Sequence, residues 1–322
     1  MRIFQRVVLG VGALTLAVLL WKMDAETAGR LVLHVGWGMA LIIAQEIVAH
    51  LLNAAGWRFA FSPDQAPAFS FLELVKLRIA GDAINYLTPS ATIAGEIART
   101  GMLDRSHALE IRAASVVVAK FTQTLGQILF ALTGLVAMAG RYLSPDEHWR
   151  NVVYAMAGAF AVLLVAFVVY AAMARRAPDA GTGLRALGGR LRLFVRLHPG
   201  RFAISTVLFL LGYAWGAFEA YWICQFFGLP ISILTAMTIE VLSVAIDSIL
   251  FMVPAKIGTQ EGGKTAIFAT LGLPATAGFA FGVVRHIREL SWAGLGLLLY
   301  SAHKHATTSN LGTVTARTRD RR

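Results

Sequence analysis

The sequence predicts an all-α fold, a polytopic bundle of transmembrane helices. Hydrophobic residues make up 57% of the 322 residues and charged residues only 15%, whereas a soluble domain carries about a quarter charged residues. The apolar residues also form blocks of roughly 20, the length that a helix needs to cross ~30 Å of hydrocarbon. Barrel strands are not indicated, because the apolar blocks do not alternate with polar residues.

Six segments are candidate spans: 7–21, 31–57, 113–138, 151–173, 202–225 and 232–253. Two other regions, 68–100 and 254–301, mix apolar runs with proline, glycine and charge, which is typical of broken or re-entrant helices. The stretch 273–301 fits either two short helices or one long tilted helix. We predict a single membrane domain over residues 1–301.

The net charge of +11 is interpreted as a topology signal and not as nucleic-acid binding. Seven arginines and one acid lie between residues 174 and 201, so the positive-inside rule predicts a cytoplasmic loop there. The segment 302–322 is polar and basic, which predicts a disordered cytoplasmic tail. The amino terminus is also predicted to be cytoplasmic.

Several kinds of chemistry lack a sequence signal. Cys224 is the single cysteine, so neither a disulfide framework nor a thiolate metal cluster can form within the chain. His303 and His305 stand in the predicted tail and are interpreted as solvated. Phosphate-cradling and hydrolase motifs are missing. We therefore assign no catalytic residue, no metal and no other cofactor.

An internal repeat is the most informative feature of the sequence. Four residues recur at a constant offset of 165 residues: Asp82, Pro89, Glu96 and Arg99 recur as Asp247, Pro254, Glu261 and Lys264. In both copies an apolar run links the aspartate to the proline. The repeat elements are predicted to span 68–100 and 233–265.

Each repeated proline is predicted to end an apolar helix at membrane depth, with a short second helix beyond it. The amino termini of the two short helices would then face a shared site that suits an anion, such as a lipid phosphate. Arg99 and Lys264 would add positive charge, and Glu96 and Glu261 would hold these cations or cap the helices. The alternative is that the repeat reflects only duplication and packing.

Several apolar helices carry polar residues on one face. Glu46, His50 and Asn53 are spaced for one helical face. Because charge toward lipid costs on the order of 3 kcal/mol, such faces must meet each other or water. The predicted lining of a hydrophilic cavity is Glu46, His50, Asn53, Lys120, Gln123, Gln127, Glu219, Glu240, Arg285 and Arg288. The alternative for each single residue is an interhelical pair that serves assembly only.

The repeat resembles the membrane part of the lysylphosphatidylglycerol synthase family, the flippase-like domain that also occurs in multiple peptide resistance factors. The resemblance rests on Asn85, Pro89 and Arg99 within NYLTPSATIAGEIAR, and on Pro254 and Glu261 within PAKIGTQEGG. In detail the chain is similar to small stand-alone members associated with bacterial hopanoid biosynthesis. The resemblance covers residues 5–301 and implies a bacterial inner-membrane protein that translocates or presents a lipid.

The resemblance adds Asn85 to the predicted substrate-binding residues of the repeat. A soluble synthase domain does not follow the membrane part here, so aminoacyl transfer is not expected. We expect a lipid transporter of flippase type whose partner is a phospholipid, glycolipid or hopanoid. An intramembrane enzyme acting on a lipid head group, or a non-catalytic partner of lipid-biosynthetic enzymes, are the alternatives.

Overall fold

The chain, here a computed structural model, is described over residues 25–88, 93–104, 106–142, 184–250 and 253–319, together with residues 14, 18 and 21. These residues form ten α-helices and two 3-10 turns, which confirms the predicted all-helical fold. The helices are α1 (Ala25–Val35), α2 (Gly38–Phe59), α3 (Phe71–Leu87), α4 (Ile93–Met102), α5 (Leu109–Tyr142), α6 (Leu184–Leu197), α7 (Pro199–Phe226), α8 (Ile233–Ile249), α9 (Thr259–Thr270) and α10 (Ala275–Arg319). The turns are Ala66–Ala68 and Pro254–Lys256.

Three helices are long and apolar enough to cross a bilayer: α2, the Leu109–Gly134 part of α5, and α7. On α7 the side chains of Ile204, Val207, Leu211 and Phe218 are 44 to 51% exposed. Their spacing places them on one face of the helix. A continuous exposed apolar stripe is unfavourable in water, so this face lies against hydrocarbon.

Two apolar cores occupy opposite ends of the bundle. One contains Trp57 at the end of α2 and Leu191 of the arginine-rich helix α6, and we call it the arginine-end core. The other contains Ile42 near the start of α2 and Phe227 just after α7, and we call it the far-end core. Helices α2 and α7 run antiparallel between the two cores, since Gly38 lies against Phe226.

The two repeat elements are hairpins of half-helices that enter the bundle from opposite ends. Leu74 of α3 and Met102 of α4 lie in the arginine-end core. Ala236 of α8 and Phe268 of α9 lie in the far-end core. The repeat is therefore inverted, as in many transporters. The two hairpins meet in the middle of the bundle, where α3 packs against the turn Pro254–Lys256.

The tip of the second hairpin has an unusual backbone. Ala255 and Lys256 both have positive φ values, of 50° and 52°, a conformation that side chains with a Cβ rarely adopt. Gly258, with a φ of 73°, adopts the left-handed region at low cost and ends the tip before α9. The chain thus reverses within a few residues after Pro254.

Helix α10 connects the two ends of the bundle. Its first turns place Ala277 and Phe281 in the far-end core, and Trp292 and Tyr300 pack against the arginine-end core. Of the two predictions for 273–301, one long helix is the correct one. The basic helix α6 and the end of this apolar stretch therefore lie at the same end of the bundle, as the predicted topology requires.

The structure differs from the sequence prediction at three places. The predicted span 31–57 is interrupted between α1 and α2, because Gly36 has a φ of 49° and ends α1. The predicted span 232–253 is wrong, since α8 ends at Ile249 and the chain turns back. Residues 302–319 were predicted to be disordered, but they continue α10. No proline after Ala275 interrupts this helix. The candidate span 151–173 lies outside the described residues, as does 7–21 apart from residues 14, 18 and 21.

Candidate functional site

The repeated aspartate of the first hairpin binds two arginines. Asp82 accepts hydrogen bonds from Arg78 at 3.0 Å and from Arg99 at 2.5 Å. Arg99 also donates to Glu96 at 2.8 Å, and Lys120 of α5 lies 3.5 Å from the same glutamate. Arg99 is only 2% exposed. Its charge is therefore balanced within the hairpin, as a buried charge requires.

The second hairpin repeats the aspartate–cation pair. Asp247 accepts a hydrogen bond from Lys256 at 2.8 Å, and Lys264 lies 3.7 Å from its other oxygen. Lys256 also donates to Glu289 of α10 at 3.0 Å. The pairs Asp82–Arg99 and Asp247–Lys264 thus occupy equivalent places in the two copies. Lys256, at the hairpin tip, has no counterpart in the first copy of the repeat motif.

The repeated glutamates have different roles in the two copies. Glu96 pairs with Arg99 and Lys120, and Asn85 accepts the hydrogen bond from the Gly95 N–H near the start of α4 at 2.7 Å. Glu261 instead caps α9, accepting from the Gly258 N–H at 3.1 Å. These side chains occupy N–H groups that would otherwise attract an anion.

A third ion-paired group surrounds α10. Arg285 donates to Glu240 at 2.5 Å and to Glu219 at 3.1 Å. Arg288 donates to Glu219 at 2.5 Å and to Glu46 at 2.6 Å. Glu219 is 1% exposed, so its charge is tolerated only because two guanidinium groups contact it. This group joins α2, α7, α8 and α10 into one polar centre.

A cavity of about 220 Å³ lies beside this polar centre, between α2, α3 and α10. Such a volume holds several water molecules, at ~30 Å³ each. The lining residues are Glu46, His50, Asn53, Arg78, Ile79, Asp82, Ala83, Tyr86, Arg288, Glu289, Trp292 and Ala293. The cavity therefore combines charged groups on three helices with an aromatic and aliphatic wall.

His50 is the lining residue with the most unused hydrogen-bonding capacity. Neither of its ring nitrogens makes a hydrogen bond among the described residues, and its side chain is 9% exposed. Its Nδ1 lies 3.7 Å from Asp82, and its ring packs 4.6 Å from Trp292. Because buried polar groups are normally hydrogen-bonded, these nitrogens are suited to a polar group that enters the cavity.

The structure places some of the predicted site residues in the cavity wall and others outside it; Asn85, Glu96, Arg99, Lys120 and Asp247 form the hairpin contacts described above. Glu46, His50, Asn53, Asp82 and Arg288 line the cavity. Five further residues also form buried pairs or caps nearby: Glu219, Glu240, Arg285, Glu261 and Lys264. Pro89 lies outside the described residues, and Pro254 begins the second hairpin's turn.

The α5 glutamines lie on another side of the polar centre, away from the cavity lining. Gln127 donates to Ser248 of α8 at 2.8 Å and accepts from Tyr213 of α7 at 3.3 Å. Gln123 lies beside the same tyrosine. The contacts of Gln127 are interhelical hydrogen bonds of the kind that hold membrane helices together.

Sequence reasoning missed four residues of this region: Arg78, Tyr86, Lys256 and Trp292. Arg78 stands four residues before Asp82 in an apolar helix, a spacing that indicates an ion pair on one face. Lys256 follows the predicted span 232–253 in the sequence. Its place in a turn at the centre of the bundle depends on the positive φ of two residues, which no sequence pattern predicts.

Two close helix contacts depend on glycine. A Cβ at Gly95 would collide with the Gly81 carbonyl and the Asn85 side chain, and a Cβ at Gly282 would lie 2.7 Å from the Glu261 Cα. The first contact packs α3 against α4, and the second packs α9 against α10. Small residues at such positions let membrane helices approach closely, which brings the charged side chains within bonding distance.

Comparison with known proteins identifies one family. The family model described as the lysylphosphatidylglycerol synthase TM region matches residues 5–296. The match covers both hairpins, the cavity and the charged segment of α10. No curated protein and no solved structure matches the chain.

Proposed function

This chain belongs to the lysylphosphatidylglycerol synthase TM family, and we propose that it binds the polar head group of a membrane lipid in the cavity between α2, α3 and α10 and moves that lipid between leaflets. Membership of the family implies a membrane protein that acts on lipids. Flippase activity is the proposal that best accounts for the site. The acyl or polycyclic part of the lipid would remain in hydrocarbon.

The observation that carries the proposal is the cavity with His50 at its wall. Intramembrane charges are costly and generally mark substrate or ion pathways, and here Glu46, Arg78 and Arg288 adjoin an open space. A head group entering this space would meet the unpaired ring nitrogens of His50. The ring of Trp292 offers the apolar surface that a glycerol backbone or a ring system requires.

The inverted hairpins support movement across the membrane. In transporters with inverted repeats, a midplane site alternates access as one repeat moves against the other. Here helix α3 of the first hairpin packs against the Pro254–Lys256 turn of the second hairpin, and Tyr86 of α3 lines the cavity. The second hairpin also has a strained turn at Ala255 and Lys256, and backbone strain of this kind clusters at functional and switch regions.

Localisation to a bacterial inner membrane is part of the proposal, with α6 and the carboxyl end of α10 on the cytoplasmic side. The arginines of α6 support this orientation through the positive-inside rule. The lipid would be a phospholipid, a glycolipid or a hopanoid. Lipid-biosynthetic enzymes would act before or after the chain in the same membrane.

The test is lipid exchange by purified protein in liposomes. Fluorescent phosphatidylethanolamine, phosphatidylglycerol and phosphatidylcholine are offered in turn, and an impermeant quencher reports the outer leaflet. We expect His50→Leu to slow exchange of the preferred lipid about tenfold or more, as expected for loss of one hydrogen bond to a charged group. His34→Leu is the matched control, because His34 is exposed on α1.

The proposal fails if folded wild-type protein exchanges none of these lipids, nor lipids extracted from its native membrane, faster than empty liposomes. Lipid exchange by His50→Leu at the wild-type rate would show that the head group does not bind in this cavity. A chemical change in the recovered lipid would favour the intramembrane enzyme instead.

A further inference from the structure

The ion-paired side chains in the described part of the chain leave one carboxylate without a compensating positive charge. Apart from the exposed Arg30–Glu26 pair on α1, they form two connected networks and one separate pair. The first network holds two acids and three bases: Asp82, Glu96, Arg78, Arg99 and Lys120. The second holds five acids and four bases: Glu46, Glu219, Glu240, Asp247, Glu289, Lys256, Lys264, Arg285 and Arg288. Their surplus charges, +1 and −1, offset each other.

The separate pair is Glu261 with His286. The Nδ1 of His286 lies 2.7 Å from the Glu261 carboxylate, and the carboxylate is 4% exposed. When the imidazole is neutral, the pair carries −1. The two networks and the pair together then have a total charge of −1. One proton on the imidazole makes the total zero. Because an uncompensated charge within a membrane is costly, a proton on this pair lowers the electrostatic energy of the ion-paired side chains.

The position of the pair links a proton to the hairpins. Glu261 caps α9 through the Gly258 N–H at the tip of the second hairpin. The ring of His286 faces the edge of Tyr86, on the first hairpin, with ring centroids 6.5 Å apart. The His286 side chain is 15% exposed, and the Tyr86 ring beside it lines the cavity. Protonation therefore acts at the junction of both hairpins and next to a cavity-lining residue.

The charged groups around His286 come from each neighbouring element. Glu261 approaches from α9, Lys256 from the turn and Glu289 from its own helix α10. Tyr86 approaches from α3. Asp247 of α8 acts on it through Lys256, to which it is bonded. Lys256 bonds Asp247 and Glu289 at once, so its charge is already balanced and Glu261 is left to His286.

We propose that the Glu261–His286 pair is the proton-binding site that couples lipid movement to a proton gradient. The inference rests on the proposed function, since it names the energy source of that movement. The neutral imidazole takes one proton from water on one side of the membrane, forms an imidazolium–carboxylate pair, and releases the same proton on the other side. No covalent bond to the lipid changes.

The experiment uses full-length protein in liposomes of phosphatidylethanolamine and phosphatidylglycerol with the fluorescent lipid that exchanges fastest. A pH gradient is imposed in each direction and then collapsed with a protonophore. With one proton per lipid, the leaflet ratio should shift by up to about tenfold per pH unit, since tenfold corresponds to ~1.4 kcal/mol. His286→Gln and Glu261→Gln should exchange lipid without this shift, and His34→Gln should keep it.

If lipid exchange by the wild-type protein does not respond to the pH gradient, the coupling is refuted and the proposed function stands. A gradient-dependent shift that persists in His286→Gln would also overturn it. If the variants fold poorly, nitrogen NMR of labelled histidine in the wild-type protein decides: a His286 ring that never binds a proton as the pH is lowered contradicts the proposal. Complete absence of lipid exchange would refute the proposed function and the coupling together.

Discussion

Replacing Arg99 by methionine is expected to destabilise the protein by about 3 to 5 kcal/mol, the cost of breaking a buried ion pair on one side. Arg99 donates to Asp82, Glu96 and the Arg78 carbonyl, and its side chain packs directly on Gly81. Methionine keeps part of the packing on Gly81 but loses all three hydrogen bonds. Thermal unfolding in detergent and the amount of folded protein in the membrane are the measurements.

The equivalent change in the second hairpin, Lys264→Met, is the matched comparison. Lys264 is fully buried, its ammonium makes no hydrogen bond among the described residues, and Asp247 keeps Lys256 as a partner. An apolar side chain of similar length then replaces a poorly satisfied charge. We expect a change within about 1 kcal/mol, in either direction.

This pair of variants also tests whether the repeated cations bind the head group directly. Direct binding predicts that Arg99→Met and Lys264→Met both fold normally and both lose lipid exchange. Our interpretation is that Arg99 holds the hairpin together, so its variant loses folded protein first. Equal stability of wild-type and Arg99→Met protein, with lipid exchange lost, would contradict that interpretation.

The second large effect is expected for Arg288→Gln. Arg288 contacts Glu46, Glu219 and Glu289, and it is the only cation within 4 Å of Glu46 among the described residues. The substitution leaves Glu46 charged and unpaired beside the cavity. We expect a loss of at least 3 kcal/mol in the free energy of unfolding, measured as loss of the folded state on heating.

A second substitution should restore part of that loss. In Glu46→Gln/Arg288→Gln the unpaired carboxylate is gone, so the double variant should be more stable than Arg288→Gln alone. Arg30→Gln is the control, because Arg30 pairs with Glu26 on the surface and both side chains are more than 60% exposed. An exposed pair contributes at most about 1 kcal/mol. A double variant less stable than the single one would refute this account of Glu46.

The constant offset of 165 residues predicted the two hairpins, because duplicated sequence folds into duplicated structure. Proline after an apolar run predicted the end of α3 at Leu87, since proline cannot continue a helix through its missing N–H, but α8 already ends at Ile249, before Pro254. The same pattern carries no information on direction. That the hairpins are inverted follows from which core each one joins, Leu74 at the arginine end and Ala236 at the far end, and this depends on long-range packing.

The charged side chains, too, could be predicted only in part from the sequence. Spacing along α2 placed Glu46, His50 and Asn53 on one face, and they line one cavity. Spacing does not show which partner on another helix neutralises each charge, so Glu219 and Arg285 were predicted beside water and instead form a buried pair. Pairing between helices is set by three-dimensional distance, which a single sequence does not encode in its local pattern.

Photocrosslinking at the cavity wall tests the central claim most directly, namely that a lipid head group occupies the space between α2, α3 and α10. A diazirine side chain is placed at Asn53, which lines the cavity, and at Leu211, which is 45% exposed on the lipid-facing stripe. Mass spectrometry then locates the attachment within the captured lipid. We predict attachment to the head group or glycerol at position 53 and to the acyl chain at position 211. Capture at position 211 alone, or acyl attachment at both positions, would contradict a head-group site in the cavity.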